Sequence, residues 1–281
     1  MKYIVKKEAI LLDFLMIHTS RKQAKLYLKY QQVSINGNSD CKFDTIVKVN
    51  DCITIQKNNT TNTQLDILYE DQDCVIINKP SGLLSMAGGG EKEKTAYHLV
   101  GEYLKEKDKQ QRVFIVHRLD RDTSGILLFA KNEKMKNLLQ EKWNDLVYKR
   151  GYVALVEGKV QKPKGTIKNY LDESKTQQVY ITKKGGKLAI THYQVKQSNM
   201  KNTLLEVYLD TGRKNQIRVH MESIGHSIVG DKKYGATTNS IRRLGLHCHD
   251  FLFLHPITKK EIHIQTTVPD SFTEVFEKTK K

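Results

Sequence analysis

The spacing of apolar residues in the N-terminal part of the chain predicts two helices followed by short strands. Over residues 8–31 apolar side chains recur at helical intervals. The following segment alternates apolar and polar residues up to Asn36-Gly37, a pair typical of tight turns. Short apolar runs at 46–47 and 53–55 predict two further strands. This order predicts a small αβ module.

A polar segment separates this module from a longer region of buried strands. Residues 57–64 contain no apolar residue, which predicts a linker. No fixed-period repeat follows, which disfavours a solenoid or a propeller. We therefore predict two domains, over 1–60 and 65–281. The elements predicted in the second domain are strands at 73–78, 126–130, 152–156 and 204–209, a helix at 96–105 and a mostly helical segment at 133–149.

Charge and composition limit the classes of partner. The chain has 281 residues, with 47 Lys and Arg against 31 Asp and Glu, which gives a net charge of +16. Either a polyanionic partner or a generally lysine-rich surface explains this excess. The cysteines form no CxxC pair and the histidines form no HExxH motif, so no metal is expected. The apolar run 9–17 is short and contains Asp13, which favours a soluble, cytoplasmic protein without a membrane span.

A dense polar segment, residues 116–125, leads directly into the apolar strand at 126–130. Asp120 or Asp122 could act as a nucleophile there, because a carboxylate can attack a sugar carbon. Arg118 and Arg121 could bind phosphates. The alternative is an ordinary polar loop in which the carboxylates cap turns.

Another segment places several polar residues around a predicted strand at 217–219. Strand alternation would put Gln216, Arg218 and His220 on one face. A buried arginine needs a partner, and a carboxylate such as Asp120 is its best one. The alternative is an edge strand with a basic outer face.

Tyr152 lies where another apolar strand begins. Its ring could stack on a nucleobase, an interaction worth roughly 1–3 kcal/mol in other proteins. The alternative is a half-buried strand tyrosine, which is the commoner role of a single tyrosine.

Together these segments resemble the RluA-type family of pseudouridine synthases. Residues 9–56 separately resemble the small RNA-binding domain of ribosomal small-subunit protein four, through Ser20-Arg21, Val33–Gly37 and Val49–Asp51. The motifs of the larger region, in the order of the family, are ILYEDQDCVIINKPSGL at 67–83, HRLDRDTSG at 117–125, RGYVALVEG at 150–158, TGRKNQIRVH at 211–220, GHSIVGDKKYG at 225–235 and LHCHDFLFLHP at 246–256.

The resemblance implies an α+β fold with a mixed, mostly antiparallel sheet, flanking helices and a central catalytic cleft. It implies an RNA isomerase without a cofactor, in which Asp120 is the nucleophile and Arg218 pairs with it. Tyr152 would stack on the uracil and assist proton removal from carbon 5. Arg118 would enter the RNA to displace the target base. The other RNA contacts expected are His117, Arg121, Thr123, Arg213, Gln216 and Ile217 in the second domain, and Arg21, Lys22 and Lys25 in the first.

One departure from the family pattern and several alternatives remain open. Asn215 stands where the family usually has His, and we expect it to affect RNA contacts rather than chemistry. A non-catalytic RNA-binding assembly factor would be expected to lack the catalytic residues. A glycosidase-like hydrolase would need two carboxylates, the second of which Asp122 could supply. Large-subunit ribosomal RNA is the first candidate substrate, transfer RNA the second, and a monomer is expected.

Overall fold

A computed structural model describes residues 2–29, 33–38, 41–55, 65–87 and 95–277, without the side chains of Lys22, Leu26 and Lys29. The chain divides into two compact units, Met1–Gln64 and Leu65–Lys281. The predicted linker at 57–64 lies outside the described residues.

The N-terminal unit consists of two short helices and small antiparallel sheets. One sheet has the strand order β1 (Lys2–Ile4), β5 (Cys52–Ile55), β3 (Val33–Ile35), and β2 (Ala9–Ile10) pairs with β4 (Ile46–Val47). Its core contains Leu11, Leu15, Val47 and Ile53. The helices are α1 (Leu11–His18) and α2 (Arg21–Lys29).

The C-terminal unit is built on one large sheet. The first elements along the chain are β6 (Ile67–Glu70), β7 (Cys74–Lys79), α3 (Ala96–Lys107), β8 (Phe114–Ile115), β9 (Ser124–Ala130), α4 (Glu133–Glu141), α5 (Trp143–Leu146), β10 (Val147–Glu157) and β11 (Lys164–Glu173). The remaining elements are β12 (Val179–Thr182), β13 (Lys187–Ser198), β14 (Asn202–Leu209), α6 (Gln216–Ser223), a 3₁₀ turn (Lys232–Tyr234), β15 (Leu246–Leu254), β16 (Glu261–Gln265) and α7 (Asp270–Glu277).

Among the described residues this sheet has 11 strands, with the main order β12-β11-β13-β14-β10-β15-β9-β7-β6. Within that part of the chain, β9 and β15 form the one parallel pair. The predicted mixed, mostly antiparallel α+β fold is therefore confirmed. No helix of the described ranges is long and apolar enough to cross a bilayer.

Two apolar clusters support the two halves of this sheet. The fully buried strand β9 and the largely buried strand β7 pack against residues of α3 and α4, such as Val100 and Leu139. The central strands β10 and β14 pack against α6 through Ile217 and Met221. Because β10 lies at the centre of the sheet order, it borders both clusters.

The predicted strand at 217–219 is wrong, because this segment lies within helix α6. Ile217, Met221 and Ile224 recur at helical spacing and face the core. Alternation of Ile217, Val219 and Met221 fits a strand equally well, so the sequence pattern was ambiguous. As a result, Gln216 and His220 share one face, where both bond Thr191, and Arg218 points elsewhere.

Helix α3 is confirmed, and its cap is as predicted, since the Thr95 hydroxyl accepts from the backbone N–H of His98 at 3.2 Å. The mostly helical segment predicted over 133–149 is confirmed as two helices, α4 and α5. Its last residues differ, since the chain is extended from Val147, which pairs with Phe253 of β15.

The absence of a side chain at Gly125 allows β9 to approach β15. Its φ is +109°, and a Cβ there would lie 2.0 Å from the carbonyl oxygen of Cys248. Because residues 116–123 lead into this strand, the close contact also fixes where that polar loop lies.

We expect Gly125→Ala to lower the free energy of unfolding by about 2–5 kcal/mol, through backbone strain and overpacking. Urea denaturation would measure it. Gly225→Ala is the matched control, since Gly225 has φ +79° with open space around its missing Cβ. Equal losses in the two variants would contradict the close-contact explanation.

Candidate active site

A concave cleft of about 440 Å³ lies above β10 in the C-terminal unit. This volume falls in the range of small-molecule sites. Its walls come from the loop before β9, from helix α5 and from the loop that precedes α6. The lining residues are Val116, His117, Arg118, Leu119, Asp120, Thr123, Gln140, Trp143, Arg150, Tyr152, Leu209, Gly212, Arg213, Lys214, Asn215, Gln216, Ile217, Arg218 and Leu246.

Charge is distributed unevenly around this cleft. Among the described residues that line it, Asp120 is the only carboxylate. Five cationic side chains share the lining with it: Arg118, Arg150, Arg213, Lys214 and Arg218. Such a surface attracts a polyanion and holds a single anionic side chain among cations.

Asp120 and Arg218 are adjacent, with 3.7 Å between Oδ2 of the carboxylate and Nη1 of the guanidinium. The expected pair therefore exists, but it is not the main contact of the arginine. Nε and Nη2 of Arg218 donate to Oδ2 and Oδ1 of Asp231, each at 2.7 Å. Sequence reasoning missed Asp231, although it lies in the segment GHSIVGDKKYG.

Asn215 also contacts the guanidinium. Its side-chain oxygen accepts from Nη1 of Arg218 at 2.9 Å, and its amide nitrogen donates to the hydroxyl of Tyr234 at 2.9 Å. This contact with Arg218 was not foreseen from the sequence, and the effect of the position on RNA contacts stays a prediction. Asn215 is buried and holds the arginine that faces Asp120.

The floor of the cleft is aromatic and uncharged. Burial, followed by the neighbouring thiol of Cys248, raises the pKa of Tyr152 well above its ordinary value, so the phenol keeps its proton. Burial, with Arg150 as the second cause, lowers the pKa of His117 to about 3. The imidazole stacks on Phe251 and its Nε2 accepts from the backbone N–H of Leu128. His117 therefore lines the cleft as a neutral imidazole.

Arg150 was not singled out from the sequence, yet it reaches the cleft. Its Nη2 donates to the carbonyl oxygens of Leu209 and Asp210, both at 3.2 Å. A Cβ on Gly212 would lie 2.7 Å from Nη1 of Arg150, so glycine at this position makes room for the guanidinium. Arg150 thus ties the end of β14 to β10.

A fully buried lysine secures the loop that carries Asp120. The Lys79 ammonium donates to the carbonyl oxygens of Pro80, Leu83 and Arg121 at 2.7–3.0 Å. Burial lowers its pKa to about 7, although Asp122 and Asp120 act in the opposite direction. Three carbonyls from two loops converge on this one amine, which fixes those loops relative to each other.

The structure brings most of the predicted site residues together. Asp120, Tyr152 and Arg218 line the cleft with Arg118, His117, Thr123, Arg213, Gln216 and Ile217. Arg121 and Asp122 are exposed and do not line it. Arg21 and Lys25 are exposed on α2 of the N-terminal unit, while the side chain of Lys22 lies outside the described part of the chain.

Gln216 lines the cleft, but its amide is fully used within the protein. The oxygen accepts from Thr211 Oγ1 and from the backbone N–H of Arg213. The nitrogen donates to the Ile190 carbonyl and to Thr191 Oγ1. An amide has two donors and one doubly accepting oxygen, so none is left for RNA. The predicted RNA contact by this side chain is therefore wrong.

Elsewhere in the C-terminal unit, Asp71, Cys74 and His255 have ligand atoms within 4.8 Å of one another. Their chemistry does not fit a metal. Nδ1 of His255 accepts the backbone N–H groups of Ile257 and Thr258, so the ring hydrogen is on Nε2. To bind a metal through Nε2, the His255 ring would need its hydrogen on Nδ1 instead. A hydrogen on Nδ1 would point at the two backbone N–H groups that now donate to this atom.

Comparison with known proteins agrees with this geometry. The family described as RNA pseudouridylate synthase matches residues 73–223. An uncharacterized RNA pseudouridine synthase of Bacillus subtilis, YhcT, is 34% identical over 86% of this chain and 83% of its own. Ribosomal large subunit pseudouridine synthase D of Vibrio cholerae is 31% identical over 91% of this chain and 86% of its own.

The fold is also found among solved structures. Human RNA Pseudouridylate Synthase Domain Containing 4 has a TM-score of 0.62 at 21% identity and covers 75% of this chain and 91% of that one. The sequence matches extend over most of the chain and include the segments that form the cleft. The chain belongs to the RNA pseudouridine synthase family and is an isomerase acting on RNA.

Proposed function

We propose that this isomerase converts uridines of large-subunit ribosomal RNA, with Asp120 as the catalytic carboxylate. The observation that carries the catalytic role is the placement of Asp120, 3.7 Å from Arg218, in a cleft where it is the one carboxylate among the described lining residues. Relatives named ribosomal large subunit pseudouridine synthase D, at 31–32% identity, support the ribosomal substrate.

The reaction breaks the bond between ribose C1′ and uracil N1, turns the base and rejoins it through C5. Asp120 acts on the extruded nucleotide, either at the sugar or at the base. The target leaves its stack at a cost of a few kcal/mol, and the exposed Arg118 at the cleft offsets this by entering the RNA. The detached uracil remains against the ring of Tyr152, shielded from water. When the base has rejoined, C5 loses its proton and N1, whose bond to the sugar was broken, takes one up, so the composition of the RNA is unchanged.

A glycosidase-like hydrolase is disfavoured by the same cleft. Hydrolysis of a glycosidic bond normally uses two carboxylates on either side of that bond. Asp122, the candidate second carboxylate, is exposed and outside the cleft lining. One carboxylate over an aromatic floor suits a base that is kept and rotated.

We further propose that residues 1–64 bind RNA in the manner of the domain they resemble. The sequence predicts this RNA-binding domain over 1–60 and the synthase domain over 65–281. Arg21 and Lys25 are exposed four residues apart on α2, which places them on one helical face. Two cations on one face can neutralise neighbouring phosphates.

Asp120→Asn is expected to lower kcat on the order of 10³-fold or more, because the amide cannot act as a nucleophile. Tritium release from C5-labelled RNA measures turnover. RNA affinity should stay within about threefold, since the contacts made by the cationic side chains that line the cleft are kept. Asp122→Asn is the matched control and should remain near wild type. Near-normal turnover of Asp120→Asn would refute the assignment.

The ribosomal substrate is tested by mapping pseudouridines in cells that lack this protein. We expect at least one site in large-subunit ribosomal RNA to be lost. Wild-type protein should restore it and Asp120→Asn should not. Loss confined to transfer RNA would overturn the ribosomal assignment and leave the isomerase assignment intact.

The role of α2 is tested by the double variant Arg21→Glu/Lys25→Glu. Binding should weaken, and the slope of log affinity against log salt should become shallower by about 2 if each residue meets one phosphate. kcat at saturating RNA should stay unchanged. Lys6→Glu/Lys7→Glu makes the same charge change at exposed residues outside α2. An equal effect there would argue for general charge rather than for this helix.

A further inference from the structure

Arg218 contacts two carboxylates, and its contact with Asp231 is much shorter than its contact with Asp120. Asp231 receives two short hydrogen bonds at 2.7 Å from Nε and Nη2, whereas Asp120 lies 3.7 Å from Nη1. The side chain of Asp231 is 1% exposed and that of Asp120 is 25% exposed. The two-bond fork with a buried carboxylate is the stronger and more directional contact. The orientation of the guanidinium is therefore set by Asp231.

Two more groups hold the same guanidinium from other directions. Asn215 accepts from Nη1 at 2.9 Å, and the ring of Tyr234 lies 4.8 Å from the guanidinium carbon. Asn215 has a left-handed backbone (φ 53°), which asparagine tolerates better than most residues. Its amide nitrogen in turn bonds the Tyr234 hydroxyl. Nε, Nη1 and Nη2 of Arg218 thus each have a hydrogen-bond acceptor besides Asp120.

The electrostatics agree with this geometry. Burial by itself lowers the pKa of Arg218, but hydrogen bonds and charge from Asp231, with Asp120 as a lesser contributor, raise it overall. Among the described residues, Asp120 is the one other carboxylate within ion-pair distance of Arg218. Without Asp231, the guanidinium would be drawn into a two-bond fork with Asp120 and would offset the charge of that carboxylate.

We propose that Asp231, together with Asn215, is a positioning element of the active site that holds Arg218 in place to orient Asp120 without neutralising it. Asp231 is buried and is not among the residues that line the cleft, so it acts through the arginine. This inference rests on the proposed role of Asp120. One guanidinium, that of Arg218, is shared between the structural carboxylate of Asp231 and the proposed catalytic carboxylate of Asp120.

The test is the tritium-release assay on the full chain, with kcat and KM measured separately. Asp231→Asn keeps size but offers only one acceptor to the fork, and its amide hydrogens face the guanidinium. We expect kcat to fall about 10–100-fold, as a displaced catalytic group does, with KM within about twofold. Asn215→Gly keeps the left-handed backbone and should lower kcat about 3–10-fold.

Coupling to Arg218 separates positioning from general stability. In an Arg218→Lys background, adding Asp231→Asn should change kcat less than about threefold, because the fork is already lost. Asp250→Asn is the matched control. Asp250 is equally buried, with its side chain 2% exposed, binds Lys149 and His263, and does not line the cleft. Its kcat should remain near wild type.

Each contrary result has a distinct meaning. Multiplicative losses in the double variant, or an equal kcat loss in Asp250→Asn, would overturn the positioning role. If Asp231→Asn does not fold, normal kcat and KM in Asn215→Gly would overturn it instead. An active Asp120→Asn would show that the role of Asp120 is wrong. An inactive Asp120→Asn beside a fully active Asp231→Asn would remove only this inference.

Discussion

A guanidinium that is largely removed from water must be paired on every side, and Arg218 shows how much structure this requires. Its partners are Asn215 just before α6, Asp231 just before the 3₁₀ turn, and the ring of Tyr234 at the end of that turn. The Tyr234 hydroxyl also accepts from the backbone of Val179 on β12. Through Tyr234 and Arg218, strand β12 at the edge of the sheet is therefore connected to Asp120 in the cleft.

The cleft separates charge from aromatic surface. Cations such as Arg118 and Arg213 line it beside the one carboxylate found among its described residues, while Tyr152 and the neutral His117 form its floor. In the proposed function, an RNA backbone would meet the cations and an extruded base would meet the rings. Contacts of this kind need no charge on the detached uracil, which suits a reaction in which the base turns and rejoins the same sugar.

The loop that carries Asp120 is fixed by contacts distant in sequence. Gly125 permits the tight approach of β9 to β15, and Lys79 gathers carbonyls from two loops. Ser85 adds a reciprocal pair, since its hydroxyl donates to the Leu119 carbonyl and accepts the N–H of the same residue. Asp120, the proposed catalytic carboxylate, is thereby held by the sheet although it lies on a loop, as catalytic positioning requires.

The strand-rich order of the chain and the motifs that resemble the family follow from local polarity and spacing in the sequence. The pairing of Asp120 with Arg218 is what that resemblance implies; the residue pattern offered Asp120 only as one suitable partner for a buried arginine, and it placed Arg218 on a strand where the structure has a helix. It did not determine whether residues 217–219 form a strand or a helix, because Ile217, Val219 and Met221 fit both periods. Nor did it find Asp231, or show that the Gln216 amide is used internally. Those outcomes depend on which side chains, distant in sequence, come into contact in the folded protein. The contacts of the Arg218 guanidinium with both Asp231 and Asp120 arise only there.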